Sequence, residues 1–406
     1  MKFFAFAALA AALPSLSYAQ NETFIADLIQ TLQAAKLNQL ANIAQQLNAS
    51  GVGQYLLSNI SNGDPHLFFA PLDTALTNIP TNISTEDLIG YHIVPGSVGT
   101  PTIYPNTTIG RTLLTDPLFV QLEGDNKAQV VAWAQREDNK THVLNQRTDT
   151  TVTNVTTFGN LTIYVIDSLL NPPEKLSVTI PTLNDSTSLN ALEPLLRAVP
   201  VPVYDSTTNQ TSNVSLFDAL DGPYHGFTLF APDDTALSNA ASQLQAANSS
   251  GNASAVETVI FNHLINGTTI YSPELIGNSF TSTGGETFSF AINSSGTFVT
   301  SGNTTAMIVQ PDVLLPNGVV HIIDTVLLNT ASDPPAASSA LASATSAATA
   351  SPTQTAPIGF SQTANFAPSD VSGAASGGES LVAGNALKGW LSTLGGVVMG
   401  AVWVGL

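Results

Sequence analysis

The stretch that decides the fold is residues 67–76, which read LFFAPLDTAL and return at residues 228–237 as TLFAPDDTAL. Both copies place an apolar run and Phe-Ala-Pro before an Asp-Thr-Ala triplet. The shared positions are Phe69, Ala70, Pro71 and Asp73 in the first copy, and Phe230, Ala231, Pro232 and Asp234 in the second.

Two further patterns return in the same order. Residues 91–96 (YHIVPG) return as residues 262–267 (NHLING), and residues 163–167 (IYVID) return as residues 320–324 (VHIID). The three offsets are 161, 171 and 157 residues, which is the length of a whole domain and not of a short solenoid repeat. We therefore expect two copies of one domain, a first repeat at residues 20–173 and a second repeat at residues 174–330, each folding on its own.

The pattern inside each repeat indicates an α+β domain. Apolar residues at helical spacing open both repeats, at residues 24–47 and 189–199. The apolar run ending in Ala-Pro predicts a buried strand followed by a helix. Alternating Thr- and Val-rich segments at residues 150–157 and 287–299 predict later strands. Each domain should be a β-sheet wedge or sandwich packed against N-terminal and central helices.

The N-terminus has the features of a secretion signal. Met1-Lys2 is followed by an apolar run too short to span a bilayer, and Ser17-Tyr18-Ala19 places small residues at a cleavage site. Residues 1–19 are predicted to be a signal peptide. The alternative is a buried N-terminal helix.

The C-terminal region predicts a stalk and a lipid anchor. Residues 331–380 are almost entirely Ala, Ser, Thr, Pro and Gly, which indicates a disordered, O-glycosylated stalk of nearly fifty residues. Extended at about 3 Å per residue, it would reach on the order of 100 Å or more. Small residues at 372–378, a spacer at 379–389 and the apolar tail Trp390–Leu406 then form a GPI-attachment signal, with residues 381–406 as the propeptide, Ser376 as the expected attachment residue and Gly373 or Gly377 as alternatives. A transmembrane helix kept in the mature protein is the competing interpretation.

Composition limits the possible partners. The chain has no cysteine, so each domain must be held by its core, without disulfides. Charged residues make up 10% of the chain, and the formal net charge is −19. Only ten Lys and Arg residues are present, too few for a phosphate-binding patch, so nucleic acid is not an expected partner.

Glycosylation sequons are dense, with sixteen Asn-x-Ser/Thr sites in the chain. The sites that we expect to lie on the surface include Asn21, Asn48, Asn59, Asn82, Asn106, Asn139, Asn154, Asn184, Asn209, Asn248, Asn266, Asn293 and Asn303. Asn160 falls in a predicted strand and is expected to stay bare.

The repeated polar residues have straightforward structural interpretations. Asp73 and Asp234 follow a proline and precede a helical pattern, where a carboxylate can accept the free N–H groups of the first turn. Asp167 and Asp324 close a strand and are expected to bind nearby N–H groups in a turn.

The histidines are expected to be structural as well. His92 and His263 end a helical segment and enter a strand, so each should be a buried imidazole bonded to the backbone. His321 lies within an apolar strand and should be buried too. The phenylalanines around Phe69 and Phe230 should be core.

These motifs give the chain its resemblance to the fasciclin (FAS1) family, and it looks like a tandem of two such domains. The second sequence motif of the family, Asn-Gly-x-x-His-x-Ile-Asp, is complete at residues 317–324. In the first repeat, Leu161 stands at the Gly position of this motif and Tyr164 at the His position. The Tyr-His box is matched at residues 91–92 and less closely at Asn262-His263. With both ends of the chain, the arrangement resembles secreted, GPI-anchored FAS1 proteins of fungal type.

The resemblance implies a non-enzymatic adhesion protein without a cofactor, acting in cell-wall or matrix organisation. The sequence contains no Gly-x-Ser-x-Gly, His-Glu-x-x-His or nucleotide-binding glycine motif, and neither catalytic nor metal-binding residues are predicted. Expected partners are extracellular matrix, cell-wall glycan or a cell-surface protein, with membrane contact through the lipid anchor. The expected location is the plasma membrane or cell wall, with the vacuole second. Two other functions stay open: a module that binds a small molecule, lipid or glycan in an apolar cleft, and a wall glycan hydrolase.

Overall fold

The structure is a computed structural model. It describes residues 13–124, 127–205, 208–249, 253–349 and 356–359. Most of the predicted signal peptide lies outside the described residues, as do Ser376 and the predicted anchor tail.

The first repeat begins with three packed helices, α1 (Leu13–Ala34), α2 (Asn38–Ala49) and α3 (Gly51–Ser61). The single helical stretch predicted for residues 24–47 is therefore two helices. The chain reverses at Lys36, whose φ is 63°, and the N–H of Leu37 bonds to the carbonyl of Leu32 across the turn. Leu32 and Leu37 are both buried, so the turn folds the apolar faces of α1 and α2 onto one core.

The first repeat continues with one helix and seven strands. They are α4 (Thr85–Tyr91), β1 (His66–Pro71), β2 (Ile93–Pro95), β3 (Thr108–Arg111), β4 (Val130–Gln135), β5 (Thr141–Val143), β6 (Thr150–Phe158) and β7 (Leu161–Ile166). The sheet order of these strands is β3-β4-β5-β6-β7-β1-β2, with β1 parallel to β7. Every residue of β1 is buried, which confirms the strand predicted from the apolar run. The helix predicted after it is only a 3₁₀ turn, at Ala75–Asn78.

The second repeat has the same plan. Its helices are α5 (Leu176–Thr179), α6 (Leu192–Arg197), α7 (Leu216–Leu220), α8 (Asp234–Ser249), α9 (Ala253–Phe261) and α10 (Ser272–Leu275). Its strands are β8 (Pro200–Asp205), β9 (Gln210–Ser215), β10 (Phe227–Pro232), β11 (Leu264–Asn266), β12 (Ser279–Thr281), β13 (Thr287–Asn293), β14 (Gly296–Ser301), β15 (Thr304–Leu315) and β16 (Gly318–Ile323).

The sheet order in the second repeat is β12-β13-β14-β15-β16-β10-β11, and β8 and β9 form a separate hairpin. Strand by strand, this order matches that of the first repeat. The strand predicted at residues 287–299 is a hairpin, because the chain turns between β13 and β14. The predicted α+β class, with two tandem domains of helices and a large curled sheet, is confirmed.

The central strands are buried on both faces of the sheet. In β1, Phe68 and Ala70 face the helices, together with Ile163 of β7, whereas Leu67 and Phe69 face a second cluster on the other side. A strand buried on both faces reads as a continuous apolar run instead of an alternating one. This explains why the Phe-Ala-Pro segments stand out in the sequence.

The segment after the second repeat departs from the prediction of a disordered stalk at residues 331–380. Residues 334–348 form a helix, α11 (Pro334–Ala348), which Asp333 caps by accepting a hydrogen bond from the N–H of Ala336 at 3.0 Å. Ile358–Gly359 forms a short strand, β17, beside β3 of the first repeat. The high alanine content that suggested disorder also gives a strong helix preference, and contact with folded domains supplies the remaining stability. Among the described helices, none combines the length and apolarity needed to cross a bilayer.

Candidate functional site

The Phe-Ala-Pro segments are core strands. Phe69 and Phe230 are fully buried. The register places Phe69 beside Tyr164 and Phe230 beside His321, and the paired rings lie 5.9 Å and 5.5 Å apart between centroids. The rest of the motif, Ala70, Pro71, Ala231 and Pro232, is also buried. These residues hold the sheet together and are closed to a ligand.

The repeated aspartates cap a helix, but not the predicted one. Asp73 accepts hydrogen bonds from the N–H groups of Asn38 at 3.1 Å and Gln39 at 2.9 Å, in the first turn of α2. Asp234 accepts from the N–H of Ala191 at 2.8 Å, just before α6. In each repeat the carboxylate at the end of the central strand thus reaches back to a helix more than thirty residues earlier. The free N–H groups of a helix N-terminus attract a carboxylate whether or not it is close in sequence.

The helix that follows the motif is capped by a different residue. In the second repeat, Asp233 is buried and accepts a hydrogen bond from the N–H of Ala236 at 2.6 Å, in the first turn of α8. In the first repeat Leu72 occupies this position, and the 3₁₀ turn after it has no side-chain cap. The missing carboxylate accounts for the short turn where a helix was predicted.

The paired histidines bind the backbone at equivalent places. His92 is fully buried; its Nδ1 lies 2.7 Å from the carbonyl oxygen of Leu88, and its Nε2 accepts the N–H of Leu170 at 3.1 Å. His263 makes the matching contacts in the second repeat, at 2.7 Å and 2.9 Å. Burial lowers the pKa of His92 to about 4, and burial lowers the pKa of His263 to about 4 as well. Each neutral imidazole links the helix before it to the segment that leaves the last sheet strand.

Asp167 and Asp324 also bind backbone N–H groups, although not in a turn of their own. Asp167 accepts the N–H of Thr151 at 2.8 Å, and Asp324 accepts the N–H of Met307 at 2.8 Å. Both donors lie on the neighbouring strand, β6 or β15. The prediction of a nearby turn was wrong because sheet pairing brings residues about sixteen positions apart into contact.

His321 differs from the other histidines because it supports a bulge. It is fully buried, its Nδ1 accepts the N–H of Asp312 at 3.2 Å, and its Nε2 donates to the carbonyl of Ile270 at 2.9 Å. Asp312 lies at the irregular part of β15 and has a φ of 57°. Burial lowers the pKa of His321, while the nearby Asp312 carboxylate opposes that shift. A neutral His321 is therefore the acceptor that satisfies the buried backbone of the bulge.

The bulge brings Asp312 to the junction between the two repeats. Its carboxylate accepts hydrogen bonds from the Thr107 hydroxyl at 2.6 Å and from the N–H of Ser272 at 2.7 Å, and it also accepts from the Ser272 hydroxyl. Thr107 belongs to the first repeat and Ser272 to the second, and all three residues are buried. One carboxylate thus joins both repeats through charge-assisted hydrogen bonds.

A shared apolar cluster surrounds this network. Tyr271 and Val319 of the second repeat pack with Ile109 and Val130 of the first. Leu314 on one side and Ala132, Ala134 and Leu144 on the other complete the cluster. The two repeats therefore share part of one core, and a second repeat expressed alone would expose that surface to water.

A second set of polar contacts lies at the same junction. Glu123 of the first repeat is buried, accepts the Thr269 hydroxyl of the second repeat at 2.7 Å, and pairs with Lys127 at 2.7 Å. The amide of Gln129 donates to the carbonyl of Leu315 at 3.2 Å. Sequence reasoning missed all of these residues because each is a single polar residue in a loop or strand, outside every repeated motif.

The apolar clefts between helices and sheet are too small for the proposed ligands. In the first repeat a cavity of about 30 Å³ lies among Leu28, Leu57 and Phe68. Its counterpart in the second repeat measures about 20 Å³ and lies among Leu196, Leu229 and Ile260. Spaces of this size hold about one water molecule. Binding of a ligand also needs several polar groups that point into the cavity and orient it. The residues that line the first cavity are all apolar, and those that line the second include one polar residue, His263.

Carboxylates near His142 are bonded to it and do not face a groove as a pair. Asp138 lies 3.2 Å from Nε2 and Asp149 lies 3.2 Å from Nδ1, so the imidazole stands between them, and Arg136 pairs with Asp149 at 2.8 Å. Arg136 and Asp149 form a surface ion pair, and the His142 ring between the two carboxylates keeps them from facing a groove as an acid–base pair. In the described ranges, His, Asp and Glu residues form no group of three or more that could hold a metal ion.

Most of the predicted glycosylation sites that the structure describes with their side chains are open to solvent. The exposed sites are Asn82, Asn139, Asn154, Asn184, Asn209, Asn293 and Asn303, and the half-buried ones are Asn48, Asn59, Asn106 and Asn266. The side chains of Asn21 and Asn248 lie outside the described part of the structure. Asn160 is exposed in the turn between β6 and β7, not in a strand as predicted, and its Nδ2, the atom that would carry a glycan, donates to the carbonyl of Asp64 at 3.1 Å.

Comparison with known proteins agrees with the repeated motifs. The Fasciclin domain family profile matches residues 30–172 and 203–329, which together exceed half of the chain. No curated protein matches the chain in sequence.

Among solved structures, one similar chain is described as a FAS1 domain pair from the insect cell adhesion molecule Fasciclin I. The two chains are 14% identical, the match covers 73% of this chain and 98% of that one, and the TM-score is 0.32.

Proposed function

The chain belongs to the fasciclin family, and we propose that it is a non-enzymatic adhesion protein of the cell surface. Its two FAS1 repeats would bind extracellular matrix, cell-wall glycan or a cell-surface protein. A GPI anchor at Ser376 would hold it at the plasma membrane or in the wall. The alternative location is the vacuole.

This proposal rests on the hydrogen bonds that the polar residues of the family motifs make. Backbone groups at helix ends and in loops are bonded by the side chains of Asp73, Asp234, His92 and His263. Groups held in this way are positioned to stabilise the fold, and none is presented to a substrate. Recognition would therefore use the outer surface of the pair, as expected for an adhesion module.

The two competing functions receive less support. A small-molecule module needs a cleft of roughly 300 Å³ or more with a few convergent polar groups. The two matched cavities measure only about 30 Å³ and 20 Å³. A hydrolase needs a carboxylate pair across a groove, whereas the adjacent Asp233 and Asp234 cap two different helices.

The folded segment at residues 334–348 shortens the spacer that would separate the repeats from the membrane. Between Gly359 and Ser376 lie residues 360–375, which at about 3 Å per residue would reach roughly 50 Å when extended. This is about a third of the length expected from the sequence, where the stalk was predicted to hold nearly fifty residues. Dense display would still multiply weak contacts through effective concentration.

The test compares cells that display the intact protein, cells that express a form lacking Trp390–Leu406, and cells without the protein. Intact display should increase adhesion to matrix or to other cells severalfold, and the truncated form should give no increase. A phosphatidylinositol-specific phospholipase should release the intact protein. In parallel, purified residues 20–359 are incubated with wall polysaccharides, and released reducing ends are measured.

Equal adhesion in all three strains, together with turnover of a wall glycan, would replace this proposal with the hydrolase. Saturable binding of a small apolar ligand by the purified protein, without any adhesion phenotype, would favour the small-molecule module.

A further inference from the structure

The segment that follows the second repeat touches both repeats. We define the C-terminal clasp as Asp333 with α11 and β17. We propose that this clasp locks the two repeats into one rigid unit and transfers the tether point from the second repeat to the first.

The clasp begins in contact with the second repeat. Asn262 donates two hydrogen bonds from its amide, to the carbonyls of Asn329 and Ala331, both at 2.9 Å. The N–H of Asp333 then bonds to the carbonyl of Gly284 at 2.9 Å. Asn262 occupies the place of Tyr91 in the first repeat, so the departure from the Tyr-His box coincides with the start of the clasp.

One face of α11 lies against the protein. Ala337, Ala340, Ala344 and Ala348 are half-buried at helical spacing, whereas Ala342 and Ala347 on the other side are exposed. Gly267 of the second repeat approaches this face so closely that an added Cβ would lie 3.2 Å from that of Ala344. Cδ1 of Leu341 would lie 3.1 Å from the same added Cβ, so the absence of a side chain on Gly267 permits this close approach.

The far end of the helix reaches the first repeat. A Cβ placed on Gly124 would lie 2.1 Å from the carbonyl oxygen of Ala348, so the backbone of the first repeat is in direct contact with the last turn of α11. The helix therefore spans from Gly267 in the second repeat to Gly124 in the first.

The clasp ends as an edge strand of the first sheet. Ile358 pairs with Ile109, and Gly359 pairs with Thr108, in antiparallel register on β3. Without β17, the outer edge of β3 would present unpaired backbone groups. A strand of two residues binds weakly alone, so its occupancy depends on α11 keeping it close, as an effective-concentration effect.

Two consequences follow. The first consequence is that the two repeats do not move independently of each other while α11 and β17 are bound. Whatever follows Gly359 in the chain starts at the β3 edge, so a downstream anchor would pull on the first repeat. This second consequence rests on the proposed function, whereas the clasp itself does not depend on anchoring.

The first experiment uses a matched pair of substitutions on one helix in the full chain. Ala344→Asp places a charge on the inward face of α11, and Ala342→Asp places the same charge on the exposed face. Amide hydrogen exchange is followed in peptides covering residues 108–111 and 334–348. We expect Ala344→Asp to speed exchange in both peptides by roughly tenfold or more, and Ala342→Asp to match the unsubstituted chain. Unchanged protection of residues 108–111 in Ala344→Asp would show that α11 does not hold β17.

The second experiment uses the absence of native cysteine in the chain. A Cβ on Gly359 would lie 2.9 Å from the Thr108 hydroxyl, which suits a disulfide between Thr108→Cys and Gly359→Cys. We expect an intramolecular bond on oxidation, detected as a monomer with altered mobility that reverts on reduction. The control pairs Thr108→Cys with Ser346→Cys on the exposed face of α11 and should remain unlinked within the monomer. Linkage only between chains would overturn the proposal, whatever the adhesion assays show.

Discussion

In the first repeat, β6 keeps a regular register past Tyr164, with Val155 opposite it, whereas in the second repeat β15 shifts register at the matching place and sets Asp312 beside His321. Both strands share an earlier register shift, at residues 152–154 and 308–310. Both repeats keep the same strand order and the same backbone contacts from paired aspartates and histidines. Besides the helix after the Phe-Ala-Pro motif and the β8–β9 hairpin, they differ where they meet each other and where the chain leaves. A second difference lies where the chain leaves the second repeat. Tyr91 donates to the carbonyl of Val130 inside the first repeat, whereas Asn262, at the matching position, holds the outgoing segment.

This comparison shows why a mismatch to the family motif can be informative. Tyr164 fills core volume against Phe69, which any large ring can do. His321 must also accept an N–H on one side and donate on the other, and imidazole suits both tasks. The motif is complete where the bulge requires it and degenerate where it does not.

The largest expected effect is the pH dependence of stability that comes from the buried histidine present in both repeats. With pKa values of about 4 for His92 and His263 in the folded state, the unfolded chain binds more protons between about pH 6.5 and pH 4. The free energy of unfolding should therefore be fully present above pH 6.5 and should fall as the pH drops through this window. Each histidine should contribute a loss of about 3 kcal/mol. Urea unfolding at pH 7 and pH 4 measures this loss.

The control for this prediction uses His92→Gln and His263→Gln. Both variants should be less stable at pH 7, and each should flatten the pH dependence by a similar amount. A slope that changes in only one of them would break the equivalence of the two repeats.

The next prediction concerns a feature that the first repeat lacks, the register shift in β15 that places Asp312 at the junction. Asp312→Ala should lower the free energy of unfolding by about 2–4 kcal/mol, because it leaves the buried N–H of Ser272 and one buried hydroxyl group without an acceptor; the hydroxyls of Thr107 and Ser272 lie 2.7 Å apart, so one can still donate to the other. Asp312→Asn keeps a residue suited to positive φ and should lose less. Val155→Ala, at the matching place in the first repeat, should change stability by about 0.5 kcal/mol or less, since Val155 is 54% exposed. Equal losses at residues 155 and 312 would mean that the bulge is not what joins the repeats.

His321→Ala should cost about 1–3 kcal/mol, because it removes the acceptor for the Asp312 N–H and leaves a cavity beside Phe230. Tyr164→Phe preserves the ring packing and should cost less. Thermal unfolding and an adhesion assay are measured together. Loss of adhesion by His321→Ala at unchanged thermal stability would assign His321 to ligand contact.

The smallest effect returns to the shared caps. Asp73→Ala and Asp234→Ala should each lower the free energy of unfolding by about 0.5–2 kcal/mol, since both release N–H groups at a helix start. Hydrogen exchange should locate the change in α2 for the first variant and in α6 for the second. Faster exchange in the segment directly after the mutated residue, with α2 and α6 still protected, would contradict the long-range capping.

The duplication, the α+β class and the buried central strands could be predicted from the amino-acid order alone. These features depend on local order: apolar runs such as residues 67–71 are buried on both faces of a sheet, and their recurrence at a fixed offset needs no knowledge of contacts. The sequence also indicated that the repeated histidines would be buried and bonded to the backbone.

The partner of each polar group, in contrast, could not be predicted before the folded structure was known. Asp73 caps a helix thirty-five residues earlier, and Asp312 bonds to Thr107 across 205 residues. Neither distance leaves a periodic signal in the sequence. The alanine-rich segment at residues 334–348 shows the same limit: its composition is compatible with a disordered stalk or a helix, and contact with Gly267 and Gly124 selects the helix. Hydrogen bonding and packing depend on proximity in space, which the chain acquires only on folding, within each repeat for Asp73 and between the repeats for Asp312.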